Sequence, residues 1–222
     1  MKASSIFSFS ANQLKLLACV FMLIDHIGAL LLPQYQILRW IGRLAFPIFA
    51  YMTANGYRHS SNIRRYLLRL GLFAIFYQPI FRICMGGHSN IFATLLFGLA
   101  AIYLYEELLK RSSHQILALL PALVLVVLAQ IVHLDFGAYG VTMIFTAHLF
   151  YQQPAALSLA WLLCNGLYVS QSPQLWAQAY SLLAIPLLLC YNGKRGRGGK
   201  WFFYIFYCLH IPALYLIKEL LL

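Results

Sequence analysis

Residues 11–32 read ANQLKLLACVFMLIDHIGALLL, an apolar stretch long enough to cross a lipid bilayer as one helix. Three ionisable side chains stand within this stretch: Lys15, Asp25 and His26. On insertion scales, a Lys or Asp at the centre of a membrane helix costs about 2.5 to 3.5 kcal/mol, so such residues usually mark a functional site. The stretch therefore predicts a membrane protein and indicates where its functional residues lie.

The composition of the whole chain also favours a membrane protein. Of its 222 residues, 62% are hydrophobic and only 9% are charged, and the mean hydropathy is +0.76. Soluble domains carry about 25% charged residues. The net charge of +11 comes mostly from basic residues beside apolar segments, which indicates membrane topology and not nucleic-acid binding. The five cysteines are scattered without CxxC spacing, so we predict neither a disulfide framework nor a metal site.

Polar and turn-forming breaks divide the chain into nine apolar segments. No linker or repeat separates them into groups, so we predict an all-α, polytopic transmembrane helical bundle that forms one domain over residues 1–222. Several segments between residues 137 and 191 are short, so this region could contain fewer crossings, or tilted or re-entrant helices. The segments are 11–32, 36–57, 64–85, 90–109, 115–133, 137–152, 155–170, 173–191 and 201–221.

The Lys and Arg residues between these segments predict an orientation, because cytoplasmic loops are enriched in both. Alternate connections carry the basic residues, and the connections near 33–36, 86–89, 133–137 and 168–173 carry none. We therefore expect the N-terminus in the cytoplasm. The basic residues on that side are Lys2, Arg58, Arg64, Arg65, Lys110, Arg111, Lys194, Arg195, Arg197 and Lys200.

Spacing along the helix relates the ionisable residues to one another. Lys15 and His26 are eleven positions apart, so they share one stripe of a helix and are separated by about 16 Å along its axis, which would suit a long cofactor. Arg43 lies in the second segment at a depth similar to that of Asp25, and we predict an ion pair between them. Adjacent residues point about 100° apart, so Asp25 is not expected to reach the ring of His26. The pair could simply fasten two helices, or it could belong to a functional site.

A neutral imidazole can accept a proton near physiological pH, so His26 is a candidate general base. His148 in the sixth segment and His210 in the ninth are further candidates, but each lacks a neighbouring charge, which favours their interpretation as packing residues of the core.

Two basic stretches and one amide are candidates for ligand binding. Arg64, Arg65 and Arg69 open the third segment, where they could bind the phosphates of a cofactor or of lipid headgroups, or could serve topology alone. Residues 193–200 read GKRGRGGK, whose glycines would allow close approach to a phosphate, although this is not a Walker loop. Asn90 opens the fourth segment, where capping of that helix is expected.

Five stretches of the sequence, which include the Asp25-His26 pair, Arg43 and Asn90, resemble the TraX family. This family includes the N-terminal acetylase of F-type conjugative pilin. The chain is also similar to larger membrane acyltransferases that modify surface sugars, whose first span carries Lys or Arg, ten residues, and then His. Lys15 and His26 match that spacing, and residues 63–70, IRRYLLRL, are similar to the basic segment of their third span. The stretches that resemble TraX, in the family's order, are LKLLACVFMLIDHIG (14–28), IGRLAFPIFA (41–50), Asn90-Ile91, Tyr139-Gly140 and FYIFYCLH (203–210).

The resemblance implies an acetyltransferase of the bacterial cytoplasmic (inner) membrane that takes its acetyl group from cytoplasmic acetyl-CoA. The acceptor would lie on the outer side and would be the N-terminal amine of a pilin or a surface glycan. His26 would act as general base or carry the acetyl group, Asp25 would help to set the local field, and Arg43 would stabilise the oxyanion. The residues that would bind acetyl-CoA are Lys15, Arg64, Arg65, Arg69 and Asn90.

Other functions remain open at this stage. A transporter could line its path with buried charges, and it would predict inverted repeats, of which the sequence shows no convincing example. A non-enzymatic pilus assembly factor would bind no coenzyme A. Among enzymes, O-acetylation of a glycan or lipid is the alternative to N-acetylation of a pilin.

Overall fold

The computed structural model describes residues 8–87, 89–111 and 114–221, and every regular element within them is helical. The all-α prediction is therefore confirmed, with ten α-helices and one 3₁₀ helix in the described ranges. Lys2, which contributed to the predicted orientation, lies outside those ranges. The helices are α1 Ala11–Leu30, α2 Gln36–Gly42, α3 Ala45–His59, α4 Ile63–Met85, α5 Ile91–Arg111, α6 Gln115–Ile131, α7 Gly137–Leu149, α8 Pro154–Val169, the 3₁₀ helix Pro173–Leu183, α9 Ala184–Leu189 and α10 Lys200–Leu221.

The helices follow the predicted apolar segments closely, but they differ in length. Within the described residues, four helices are long and apolar enough to cross a membrane: Ala11–Leu30, Ile63–Met85, Ile91–Arg111 and Trp201–Leu221. The others are shorter, and the second and eighth predicted segments are each divided into two helices. The chain is thus a helical membrane protein, while the nine crossings and their orientation stay predictions.

Contacts divide the chain into two compact units. The first unit combines both ends of the chain, from residues 1–52 and 165–222, and the second comprises residues 53–164. Contacts within each unit do not decide whether the two units form one domain, so the single domain stays a prediction.

Close packing in the first unit places α1 against α2. A Cβ atom added to Gly42 of α2 would lie 2.2 Å from the Cβ atom of Asp25, and one added to Gly28 would lie 2.8 Å from the Cβ atom of Leu38. Real side chains do not approach so closely, so glycine is required at both positions for the two backbones to meet. The contact holds Asp25 directly against α2.

The start of α1 is enclosed by the loop at residues 193–198. Ser10 and Gln13 form a capping box, and the backbone N–H of Ala11 donates to the loop across 2.8 Å. Gly196 has a φ of +75°, and a Cβ atom there would lie 2.1 Å from Oγ of Ser10. The loop carbonyls that accept from Ala11 or Asn12 belong to Lys194, Arg195, Gly196, Arg197 and Gly198.

The glycines of this loop therefore accommodate Ser10 and Asn12, whereas the sequence suggested an approach to phosphate. The side chains of Lys194, Arg195 and Arg197 remain exposed. Because α10 begins directly after the loop, α1 and α10 start at the same end of the first unit.

The second predicted segment breaks between α2 and α3. The backbone N–H groups of Arg43 and Leu44 bond to carbonyls of the last turn of α2, and α3 begins at Ala45. Pro47 lies in the first turn of α3, where its missing N–H costs no helical hydrogen bond. The break precedes the proline and places Arg43 at the end of α2.

In the second unit, α5 packs against α4, α6 and α7. Asn90 precedes α5 and is fully buried. Its Oδ1 atom accepts from the backbone N–H of Phe92 at 3.1 Å, which confirms its capping role. Its Nδ2 atom donates to the carbonyl of Ala74 and to Oε1 of Gln78, so the same residue ties α5 to α4.

Candidate functional site

Asp25 of α1 is held between two guanidinium groups. Oδ1 lies 2.8 Å from Nη2 of Arg43, so the predicted ion pair is present. Oδ2 lies 2.5 Å from Nη1 of Arg39, which also donates to the backbone carbonyl of Asp25 at 3.0 Å. Sequence reasoning missed Arg39, although it lies one helical turn before Arg43 and so shares its face of α2.

This cluster carries more positive than negative charge. Two guanidinium groups face one carboxylate whose side chain is only 13% exposed. Arg43 is further oriented by the carbonyl of Arg39, 3.3 Å from its Nε atom, and by Oε1 of buried Gln178, 3.4 Å from its Nη1 atom. Oriented guanidinium donors suit the stabilisation of an anion or an oxyanion.

His26 follows Asp25 in the sequence but has different partners. Its Nδ1 atom lies 2.8 Å from the carbonyl of Met22 and 3.2 Å from Nε2 of His210 in α10. The two ring centroids are 5.0 Å apart, with an angle of 67° between the planes. Asp25 and His26 therefore have separate partners, as the sequence predicted. The interpretation of His210 as a packing residue omitted its hydrogen bond to His26.

The hydrogen-bonding pattern leaves the second nitrogen of His26 available. His210 carries its proton on Nδ1, because that atom faces the carbonyl of Tyr207. Nδ1 of His26 therefore faces two acceptors, the Met22 carbonyl and Nε2 of His210, so Nδ1 of His26 is the donor. No described residue lies within hydrogen-bonding distance of Nε2 of His26. That nitrogen then carries a lone pair and can accept a proton.

Lys15 and His26 both lie on the face of α1 that contacts α10. Nζ of Lys15 is 5.6 Å from the centroid of the Phe203 ring, and His26 contacts His210 farther along both helices. The predicted stripe exists, and α10 runs along it in the same direction as α1. A long ligand on this stripe must therefore lie beside α10 and not over a bare helix.

The other predicted ligand-binding residues belong to the second unit. Arg64 and Arg65 are exposed at the start of α4, and the guanidinium of Arg69 lies 5.3 Å from the centroid of the Tyr66 ring. Asn90 is buried between α4 and α5. Because Lys15 lies in the first unit, binding of one ligand by all five residues stays a prediction.

The second unit contains its own ionisable cluster around the buried ring of His148. Nε2 of His148 in α7 lies 2.6 Å from Oε1 of Glu106 in α5, and Nη2 of Arg58 donates to the carbonyl of His148 at 2.6 Å. The expectation that His148 lacks a neighbouring charge is wrong, because tertiary packing brings α5 and the end of α3 to it. His148 is 4% exposed, and its Nδ1 atom is buried without a hydrogen-bond partner among the described residues.

These features define an all-helical protein with four candidate membrane spans in its described residues and a partly buried carboxylate–guanidinium cluster beside a pair of histidines. The chain belongs to the TraX family, since residues 10–218 match the family described as TraX protein. That range includes Asp25, His26, Arg43 and His210.

Two relatives extend the comparison. The chain is 31% identical to "Probable fimbrial assembly protein FimC, serogroup H1" of Dichelobacter nodosus over 93% of its own length and 94% of the relative's. It is 32% identical to an uncharacterized protein of Rickettsia prowazekii (strain Madrid E) over 43% of its own length and 38% of the relative's. No solved structure matches the chain.

Proposed function

We propose that this protein is an integral membrane acetyltransferase that transfers an acetyl group from cytoplasmic acetyl-CoA to an acceptor on the outer side of the bacterial inner membrane. The observation that carries the proposal is the geometry of His26. Its Nδ1 atom is engaged by Met22 and His210, and its Nε2 atom has no partner among the described residues. An imidazole presented in this way is suited to act as a general base.

In the proposed reaction, residues of the first unit transfer the proton and stabilise the negative charge that develops. Nε2 of His26 takes the proton from the acceptor amine or hydroxyl as that group attacks the thioester carbonyl. Arg43, oriented by Asp25 and Gln178, stabilises the negative charge that develops on the carbonyl oxygen. The carbon–sulfur bond then breaks, and His26 returns its proton to the coenzyme A thiolate.

The proposed orientation rests on the arrangement of α1 and α10. Both helices start at the end of the first unit that carries Lys194, Arg195 and Arg197. Basic residues favour the cytoplasmic side, so both helices would run outward from the cytoplasm. That direction agrees with nine crossings, in which the first and the ninth are parallel.

The donor would reach His26 from the cytoplasmic end of α1. Lys15 lies about 16 Å below His26 along the helix axis, a distance of the same order as an extended pantetheine arm. Lys15, Arg64, Arg65 and Arg69 would bind the phosphates. Asn90 would contribute by holding α4 to α5, since its amide is occupied within that contact.

The name of the Dichelobacter relative refers to fimbrial assembly, which favours the N-terminal amine of a pilin over a glycan as the acceptor. The same name also supports a second candidate function, a pilus assembly factor without enzymatic activity. The two functions differ in whether the protein binds acetyl-CoA and turns it over.

The test is a transfer assay with purified protein in detergent, radiolabelled acetyl-CoA and a pilin N-terminal peptide. General base catalysis contributes about 10²- to 10⁴-fold, so we expect His26→Ala to lose that factor in kcat while remaining folded. The matched control is His133→Asn, because His133 is exposed and Asn tolerates its left-handed φ of +51°.

Acetyl-CoA should raise the melting temperature of the wild type and of His26→Ala alike, since binding stabilises the folded state. Turnover by folded His26→Ala at the wild-type rate would remove His26 from the mechanism. A wild-type protein that neither binds acetyl-CoA nor transfers acetyl groups would favour the assembly factor.

A further inference from the structure

We propose that His210 is a positioning residue that keeps the proton of His26 on Nδ1 and so leaves Nε2 free as the base. This inference rests on the proposed function for its catalytic meaning. Its structural content, the tautomer of His26, can be measured separately.

The ring of His210 is fixed by its own helix. Its Nδ1 atom lies 2.8 Å from the carbonyl of Tyr207 and 3.0 Å from that of Phe206. Carbonyl oxygens only accept hydrogen bonds, so Nδ1 of His210 carries the proton and Nε2 carries the lone pair. The Phe206 ring lies parallel to the imidazole at 2°, with centroids 5.2 Å apart, and His210 is 6% exposed. These contacts hold the lone pair of Nε2 in one direction.

That lone pair points at Nδ1 of His26, 3.2 Å away. Nδ1 of His26 therefore faces two acceptors, the Met22 carbonyl and Nε2 of His210. If the proton of His26 moved to Nε2, three lone pairs would face one another around Nδ1, which is unfavourable in a buried site. His210 thus acts together with the Met22 carbonyl to favour the tautomer that the proposed reaction needs.

The arrangement resembles the orientation of a catalytic histidine by a carboxylate, with a neutral imidazole as the orienting group. When Nε2 of His26 takes a proton, its Nδ1–H remains hydrogen-bonded to His210 and to Met22. Asp25 is adjacent in sequence, but its carboxylate is directed to Arg39 and Arg43 of α2 and makes no hydrogen bond to the His26 ring.

The first measurement is the tautomer of His26 by nitrogen-15 NMR of histidine-labelled full-length protein in detergent. The chain has seven histidines, and His26→Gln identifies the signal of His26 by its disappearance. We expect the Nδ1–H tautomer in the wild type. His210→Phe keeps an aromatic ring beside Phe206 and leaves the Met22 carbonyl as the remaining acceptor at Nδ1 of His26. With one of the two acceptors removed, the population of the Nε2–H tautomer should rise above that of the wild type. His133→Asn is the control and should leave the tautomer of His26 unchanged.

The second measurement is acetyl transfer by the same variants. Removing the orienting partner of a metal-ligating histidine costs about 10- to 100-fold, and we expect a loss of the same order in kcat for His210→Phe, with little change in the KM for acetyl-CoA. His210→Gln should restore most of the rate, because its Oε1 atom can accept from Nδ1 of His26. A purely packing role would instead favour the phenylalanine variant over the glutamine variant.

The outcomes separate this inference from the proposed function. An unchanged His26 tautomer in folded His210→Phe overturns the inference, whatever the activity. A shifted tautomer with an unchanged kcat in an active enzyme also overturns it. If the wild type transfers no acetyl group, the proposed function fails, while the tautomer still decides whether His210 positions His26.

Discussion

His26 in the first unit and His148 in the second both lie on apolar helices, but they use their ring nitrogens differently. His148 directs Nε2 to the carboxylate of Glu106, and its Nδ1 atom is sealed inside the protein. His26 directs Nδ1 to Met22 and His210, and leaves Nε2 without a partner among the described residues. The imidazole of His148 is therefore enclosed, whereas Nε2 of His26 can accept a proton from a substrate.

The difference shows that the cost of placing ionisable groups in apolar helices does not by itself identify a reactive site. Both clusters place a histidine in an apolar helix, and both contain a carboxylate and an arginine. The His148 cluster connects the end of α3 with α5 and α7, which is a structural task. The His26 cluster combines a ring nitrogen that has no partner among the described residues with two oriented guanidinium groups, and this combination suits the proposed acyl transfer.

The largest effect that distinguishes the His26 cluster from the His148 cluster is expected from Asp25→Asn. The substitution leaves Arg39 and Arg43 facing each other without their anion in a largely buried site. Removing one partner of a buried ion pair costs about 3 to 5 kcal/mol, and we expect about 3 because the arginines are partly exposed. Chemical denaturation in detergent measures the loss, and kcat should fall as Arg43 loses its orientation.

Asp25→Glu is the control for this experiment, since it keeps the charge and tests the geometry alone. If Asp25→Asn were as stable and as active as the wild type, the cluster would have neither a structural nor a catalytic role.

A smaller effect is expected from Gly42→Ala, which tests the packing that positions Asp25. The added Cβ would lie 2.2 Å from the Cβ atom of Asp25, so α2 must move away from α1. Overpacking of this kind costs about 1 to 3 kcal/mol. Transfer activity per folded molecule should also fall, because Arg39 and Arg43 move with α2.

Gly166→Ala is the matched control, because a Cβ atom there meets nothing within 4 Å. Equal stability and activity in the two alanine variants would mean that the close contact between α1 and α2 does not position the site.

Local sequence patterns predicted the helices and one pair of the site, whereas the remaining contacts depend on tertiary packing. Apolar length and polar breaks located the helices, and matched depth in adjacent segments located the Asp25–Arg43 pair. His26 and His210 are 184 positions apart, and Glu106 and His148 are 42 apart. No local periodicity relates residues at such separations, so these partners emerged only from the fold.

The same limit explains the loop at residues 193–198. Its glycines and basic residues match a phosphate-binding composition, but composition does not say which neighbour needs the space. Ser10 and Asn12 occupy it, from the opposite end of the chain.

The smallest effect is expected from Glu106→Gln, which tests the structural interpretation of the second cluster. Oε1 of the glutamine can still accept from Nε2–H of His148, so a neutral hydrogen bond replaces a charge-assisted one. That exchange should lower the free energy of unfolding by about 1 kcal/mol. Because the proposed chemistry does not involve the His148 cluster, kcat per folded molecule should remain within twofold of the wild type. If kcat fell tenfold or more while acetyl-CoA still raised the melting temperature, His148 would take part in the mechanism. The distinction between the enclosed imidazole of His148 and the available imidazole of His26 would then be wrong.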